Sequence, residues 1–207
     1  MDQREPRFLK FPIFSERDDI SHLISTRHGG FSKGLYRSLN LGLKAGDNVK
    51  RVEENRKLLA QELGVAPHLL IFPDQCHTDR VGIVEGGSDL TATDALITWQ
   101  TGIAIGVLAA DCVPILLLEP ERRVIAAVHA GWKGTVKGIV TRTIECMTER
   151  FDCRPERLLA GIAPAISQNN YEVNEDVALP FSKAFSNAHG LLNHNRQTGK
   201  AHIDLQG

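Results

Sequence analysis

Several features are scarce in this chain, and each scarcity excludes something. Four cysteines in 207 residues, at 76, 112, 146 and 153, form no CxxC pair and no small-secreted-domain pattern. That usage fits a reduced, cytoplasmic compartment rather than a disulfide framework. Long apolar runs are missing too. The longest, Ile103 to Leu118, is interrupted by Asp111 and Pro114 and is too short and polar to span a bilayer. The opening stretch MDQREPRFLKFPIF has charges but no apolar h-region, so no signal peptide is expected. Charge of one sign is never concentrated, and the net charge is −1, which argues against a broad nucleic-acid footprint. Internal repeats, low-complexity tracts and a linker long enough to divide the chain are all absent. The reading is one domain over residues 1–207.

An ordinary globular composition is present, with 42% hydrophobic residues, enough for a full core. DNVKRVEENRKLLAQELG reads as a helix capped by Asp47 and ended by Gly64, with Val52, Leu59 and Leu63 on one face. Short strands are expected at SHLISTR, HLLIF, RVGIVE, RLLAGIAPAI and HIDL. GIAIGVLAA, VPILLLE and RRVIAAVHA read as near-continuous apolar strands, covered on both faces. TVKGIVTRTIECMTERF reads as one helix, and NEDVALPFSKAF as a helix broken at Pro180. The expected class is α/β (α+β) with mixed sheets.

Three residues stand at the ends of these elements. His77 lies in the polar segment QCHTD, Cys112 at the junction of two apolar strands, and His129 at the end of a third strand, beside Ala130 and Gly131. They are 35 and 17 residues apart, too far for a local metal motif, so only position in a fold could unite them. Two imidazoles and a thiolate suit catalytic zinc with a fourth position open. Bound there, zinc brings the pKa of a water to about 7. The same residues also suit a cysteine nucleophile with a histidine base, or plain core positions.

Arg27, His28, Gly29 and Gly30 form an anion candidate: a planar guanidinium beside glycines whose N–H groups a phosphate can approach. A solvated turn is the rival reading. Lys133 at a helix start is a second anion candidate, Asn40 a further substrate-binding candidate, and Asp111 a candidate proton shuttle or orienting group. Cys76, Cys146 and Cys153 read as structural or incidental.

The ordered motifs STRHGGFSKGLYRSLNLG, GDNVKRVEENR, QCHTDRV, TDALIT, ADCVPILL, HAGWKG and GIAPAISQNNYEV resemble the YfiH family, also described as purine nucleoside phosphorylase or laccase-domain proteins. The likeness runs from about Ser25 to Leu205. It implies α/β/β/α layers and zinc on His77, Cys112 and His129. It also implies phosphorolysis of adenosine, inosine, guanosine and methylthioadenosine, together with adenosine deamination. Purine nucleosides and phosphate would then be the partners. Some members are described as copper-dependent polyphenol oxidases, which makes copper the alternative metal, and others are linked to cell-wall precursors, where a Cys-His hydrolase would act. With eight histidines and no HxH pair, a several-copper oxidase is the weaker expectation. The family pattern continues past HIDL with a further helix and segment, so this chain is expected to lack that part. It also has SQNN at 167–170 where many relatives have Gly-Pro.

Overall fold

The computed structural model describes residues 6–185, 188–195 and 198–207; the first five residues of the charged N-terminal stretch lie outside them. β1 (Phe8–Leu9), α1 (Pro12–Ser15) and β2 (Ile24–Ser25) make an N-terminal arm in which the two strands pair antiparallel. α2 (Val49–Leu63) follows. Its cap is Asn48, whose side chain accepts the Arg51 N–H; Asp47 is instead occupied by the Asn48 N–H and by Asn40. Gly64 ends the helix at φ 73°, a left-handed position that glycine takes without a Cβ penalty. Val52 and Leu59 are buried as the periodicity requires.

Next come β3 (Leu70–Ile71), β4 (Val81–Ile83), β5 (Ala95–Thr98) and β6 (Ala104–Ile105). The long strand expected at GIAIGVLAA is only two residues. A Cβ at Gly106 would lie 2.9 Å from the Phe72 ring, and the regular strand ends just before this close contact. β7 (Val113–Glu119) and β8 (Val124–Ala130) are full length, as their apolar runs predict. The helix expected from Thr135 to Phe151 is two: α3 (Trp132–Val136) and α4 (Ile139–Phe151), separated by Gly138 at φ 75°. β9 (Leu159–Ile162), β10 (Glu172–Val173) and α5 (Glu175–Ala184) come after. Pro180 does not break α5. The hydrogen bond it forgoes would reach back only to Asp176 in the first turn, and buried Phe181 holds the helix down beyond it. α6 (Ala188–Leu191), β11 (Leu192–His194) and β12 (Ala201–Ile203) complete the described elements.

The main sheet has the order β4-β5-β8-β7-β9, parallel between β4 and β5 and antiparallel elsewhere. One face packs on α4: Val113, Ile115 and Leu117 meet Ile139 and Met147. The other face looks across a cleft of about 450 Å³, lined by Leu116, Leu118, Ile125, Ile105, Phe72 and Leu59. That places the parallel β3–β6 pair and α2 on the far side. The result is a mixed α/β fold with several sheets, layered α, β, β, α. A three-stranded sheet, β10-β12-β11, packs with α5 in a smaller cluster around Phe181 and Ile203. Among the described residues no helix is long and apolar enough to cross a membrane.

Candidate metal centre

The β7–β8 ladder aligns Val113 with Ala130 and Pro114 with His129, so the turn carrying Cys112 lies beside the end of β8. The loop between β3 and β4 brings in His77. The ligating atoms of His77, Cys112 and His129 all lie within 4.8 Å of one another, and Cys112 Sγ is 3.8 Å from His77 Nε2. The two imidazole rings meet edge to face at 4.9 Å. His129 is buried, Cys112 is partly buried and His77 is exposed, so the group opens toward solvent on one side. Gly131 leaves room at its centre. A Cβ there would stand 2.8 Å from His77 Cδ2 and 3.0 Å from Cys112 Sγ. Two nitrogens and a sulfur, converging on a space kept clear by a glycine, fit a metal ion of borderline softness.

One residue that sequence reading did not single out organises this group. Asp94 is fully buried just before β5. Its carboxylate accepts from the N–H groups of Cys76 (3.1 Å), His77 (3.0 Å) and Thr78 (2.7 Å), from the Thr78 hydroxyl (2.9 Å), and from His129 Nδ1 (2.8 Å). Three consecutive amides pointing at one carboxylate hold His77 at φ 58°, a left-handed conformation that a residue with a Cβ adopts only under constraint. The Nδ1–H donated to Asp94 fixes the orientation of the His129 ring, which leaves Nε2 as the nitrogen a metal can take in place of its proton. Asp94 lay in plain sight within the TDALIT motif. Its signal was a lone carboxylate heading an otherwise apolar strand.

Electrostatics follow from the packing. Burial alone would hold the Asp94 carboxyl up and His129 down. The hydrogen bond between them, with the amides at Asp94 and Cys112 at His129, reverses both: Asp94 falls well below the usual carboxylate range and His129 rises to about 9. His77 moves down, chiefly through burial, then through the charges of His129 and Lys133, so it is neutral and ready to ligate at pH 7. Lys133 is therefore within electrostatic reach of the group; its ammonium stands 5.6 Å from the Trp132 ring centroid. Tyr171 was also missed. Its phenol is pushed up first by burial and then by the negative charges of Cys112 and Asp111, which puts it on the same side of the molecule. Asp111 itself is exposed, and its carbonyl accepts the Ile166 N–H.

The remaining sequence candidates make their hydrogen bonds within the segment between β2 and α2. Arg27 donates to the Arg37 carbonyl, and the Gly30 N–H to the Ser38 hydroxyl. A Cβ at Gly30 would collide with the Ser38 carbonyl and lie 2.5 Å from Leu39 Cα, so this glycine serves close packing of the loop. Asn40 bonds Asp47 and the Gly42 backbone. His28 and Arg27 are exposed. Among the described residues no hydrogen bond or ion pair joins Arg27, His28, Gly29, Gly30 or Asn40 to the His–Cys–His group. All four cysteines are free; Cys76 is exposed and Cys153 is buried, its thiol pushed up to about 11 by that burial.

Residues 21–207 match the family model described as multi-copper polyphenol oxidoreductase laccase. A Bacteroides thetaiotaomicron protein named purine nucleoside phosphorylase is 35% identical over 98% of this chain and 78% of its own length. A protein named adenosine deaminase, from an unknown prokaryotic organism, is 38% identical over 91% of this chain and 76% of its own. Among solved structures, YlmD of Geobacillus stearothermophilus superposes with a TM-score of 0.85 at 28% identity, over 99% of this chain and 78% of that one. The Bacillus licheniformis protein YfiH gives 0.84 at 30%, over 89% and 73%. The chain belongs to this laccase-like family, which includes the YfiH proteins.

Proposed function

We propose that this chain is a zinc-dependent enzyme acting on purine nucleosides, by phosphorolysis of adenosine, inosine, guanosine and methylthioadenosine and by deamination of adenosine. The observation that carries the proposal is the convergence of His77, Cys112 and His129 around the space beside Gly131, with Asp94 fixing the orientation of the His129 ring. The names of its relatives supply the substrate class. Bound zinc would supply Lewis acidity and an acidified water at neutral pH. Cys112 and the two imidazoles would hold it. Asp111, exposed beside Cys112, would move a proton between substrate and solvent. Lys133 is the first candidate for phosphate because its charge reaches His77. Arg27, His28 and the Gly29–Gly30 backbone, with Asn40 behind them, form a second candidate for phosphate or ribose.

Metal content by mass spectrometry on protein purified without added metal, with adenosine turnover followed by chromatography, tests this. About one zinc per chain is expected. Inosine should form without phosphate, and adenine only with it. Absence of both products from zinc-loaded protein would overturn the proposal. Copper is the alternative occupant, since the same donors bind it at least as tightly. In that case the purified protein would carry copper and oxidise phenols. A specific observation favours a second reading as well. Cys112, His129 and Asp94 stand in the order nucleophile, base and orienting carboxylate. A Cys-His hydrolase acting on cell-wall precursors would contain no metal, and its Cys112 would be alkylated rapidly and stoichiometrically.

A further inference from the structure

The three sides of the His–Cys–His triangle are held by different ties. The β7–β8 ladder sets Cys112 beside His129. Asp94 sets His77 beside His129. Neither fixes the side between His77 and Cys112, whose loops are 35 residues apart. A side-chain amide spans that side. Gln75 Nε2 donates to the Leu108 carbonyl at 2.7 Å, and Gln75 Oε1 accepts the Leu108 N–H at 2.7 Å.

The placement has a backbone logic. β3 and β6 pair in parallel at Leu70–Ala104 and Ile71–Ile105, and the Gly106 N–H still reaches the Ile71 carbonyl. Pro73 then offers no N–H, and the two chains part. Two residues on, the primary amide of Gln75 presents donor and acceptor side by side, as a strand backbone would, and resumes the pairing at Leu108. From there the chain runs four residues to Cys112, while Gln75 stands two residues before His77. Any slip of one loop against the other would have to break both bonds of this clasp.

We propose that Gln75 is a positioning residue that sets the His77–Cys112 separation and through it the affinity and geometry of the metal site. This rests on the reading that His77, Cys112 and His129 hold a metal. The test uses the full chain with zinc and cobalt as probes. Zinc affinity is measured by competition with a chromophoric chelator, and coordination by the thiolate charge-transfer and d–d bands of the cobalt form. Gln75→Met keeps the length of the side chain and removes both hydrogen bonds. Its zinc affinity should fall about 10- to 100-fold, and its cobalt bands should shift or weaken. Gln75→Glu keeps the acceptor for the Leu108 N–H and loses the donor. It should fall between Gln75→Met and wild type, and it decides the matter if Gln75→Met does not fold. Asn55→Ala, a destabilising change on α2 that loosens another loop, should leave affinity and spectrum at wild-type values, which separates positioning from general loosening. Wild-type affinity and bands in the Gln75 variants would overturn the role of Gln75 alone. Wild-type protein that binds neither zinc nor cobalt would overturn the metal reading, and this proposal with it.

Discussion

Two loop regions of this molecule are each gathered by one buried polar side chain, and they differ in what is left over. Asn55, fully buried on α2, accepts the Phe31 N–H at 2.7 Å and donates to the Ser32 hydroxyl and the carbonyls of Ser38 and Asn40. It is neutral, and its partners are mostly backbone. Asp94 gathers the loop of residues 76–78 in the same manner, but it carries a charge and spends one bond on an imidazole. A neutral amide that saturates backbone groups holds a loop and goes no further. A carboxylate that saturates backbone groups and also grips a histidine sets that histidine's orientation and proton affinity. The difference separates a loop that is only shaped from one that is shaped and chemically tuned.

The sharpest way to break the comparison is Asp94→Asn. The amide is nearly isosteric but must turn an NH₂ toward some of the five donors that Asp94 now satisfies. Stability should fall by about 3 kcal/mol, the cost of removing one partner of a buried charged pair. Zinc affinity should fall about 10- to 100-fold with it. Denaturant melts and chelator competition measure the two losses. Asn55→Ala is the mirror case. It strands the Phe31 N–H and the Asn40 carbonyl, so stability should fall by about 2 kcal/mol, with bound metal per chain unchanged. Metal lost in the Asn55 variant, or kept at full affinity in the Asp94 variant, would erase the distinction.

Gly131→Ala sharpens the comparison from the other side, because it leaves both keystones intact. The added methyl enters the space among the ligands, against His77 and Cys112. Overpacking of about 1–3 kcal/mol should appear as lost metal affinity rather than as lost stability of the metal-free protein. Elemental analysis against a metal-free melt distinguishes the two. A variant that loads zinc normally would mean the ligands converge elsewhere than beside Gly131.

How much of this was legible in the sequence depended on whether the signal was local. β7, β8, α2 and the Gly64 cap followed from apolar runs and one glycine, because burial and capping act within a few residues. The His–Cys–His trio was suggested by strand ends and chosen firmly only through family resemblance. Its spacing has no period to read, and a β7–β8 register brings the residues together. Asp94 and Gln75 passed unnoticed for the same reason. Each acts through partners 16 to 35 residues away, as with the Thr78 N–H and the His129 imidazole on Asp94 and the Leu108 N–H on Gln75. Gly30 carries a local signal with a second, structural use. Its neighbours suggested an anion cradle, while the fold gives its N–H to Ser38 and its missing Cβ to the Leu39 backbone. The broken α3–α4 helix and the intact α5 show the same limit. Gly138 breaks the first because it takes a left-handed conformation between the two helices, whereas Pro180 falls where its forgone hydrogen bond reaches only the first turn and buried Phe181 anchors α5 beyond it.

The pH dependence of the Asp94–His129 pair tests the electrostatic half of the comparison. His129 titrates near 9 in the folded metal-free protein against about 6.5 unfolded. Its contribution to stability is therefore complete below about pH 6.5 and is lost as pH rises through 9. Asp94 has the opposite sign. Its folded value lies below the unfolded value of about 3.9, so its contribution is present above that pH and is lost as pH falls through the folded value. Metal-free protein should thus melt highest between about pH 4 and 6.5 and decline toward pH 9. A metal at Nε2 takes the place of the proton that His129 would otherwise keep, while Nδ1–H continues to donate to Asp94. The gap in melting temperature between zinc-loaded and metal-free protein should then widen from pH 6 to 8.5. Asn55, which carries no charge, should contribute nothing to that slope, so Asn55→Ala should shift both melting curves down in parallel. A gap that narrows with rising pH would mean that His129 is already neutral in the metal-free fold, and that Asp94 holds a loop as Asn55 does.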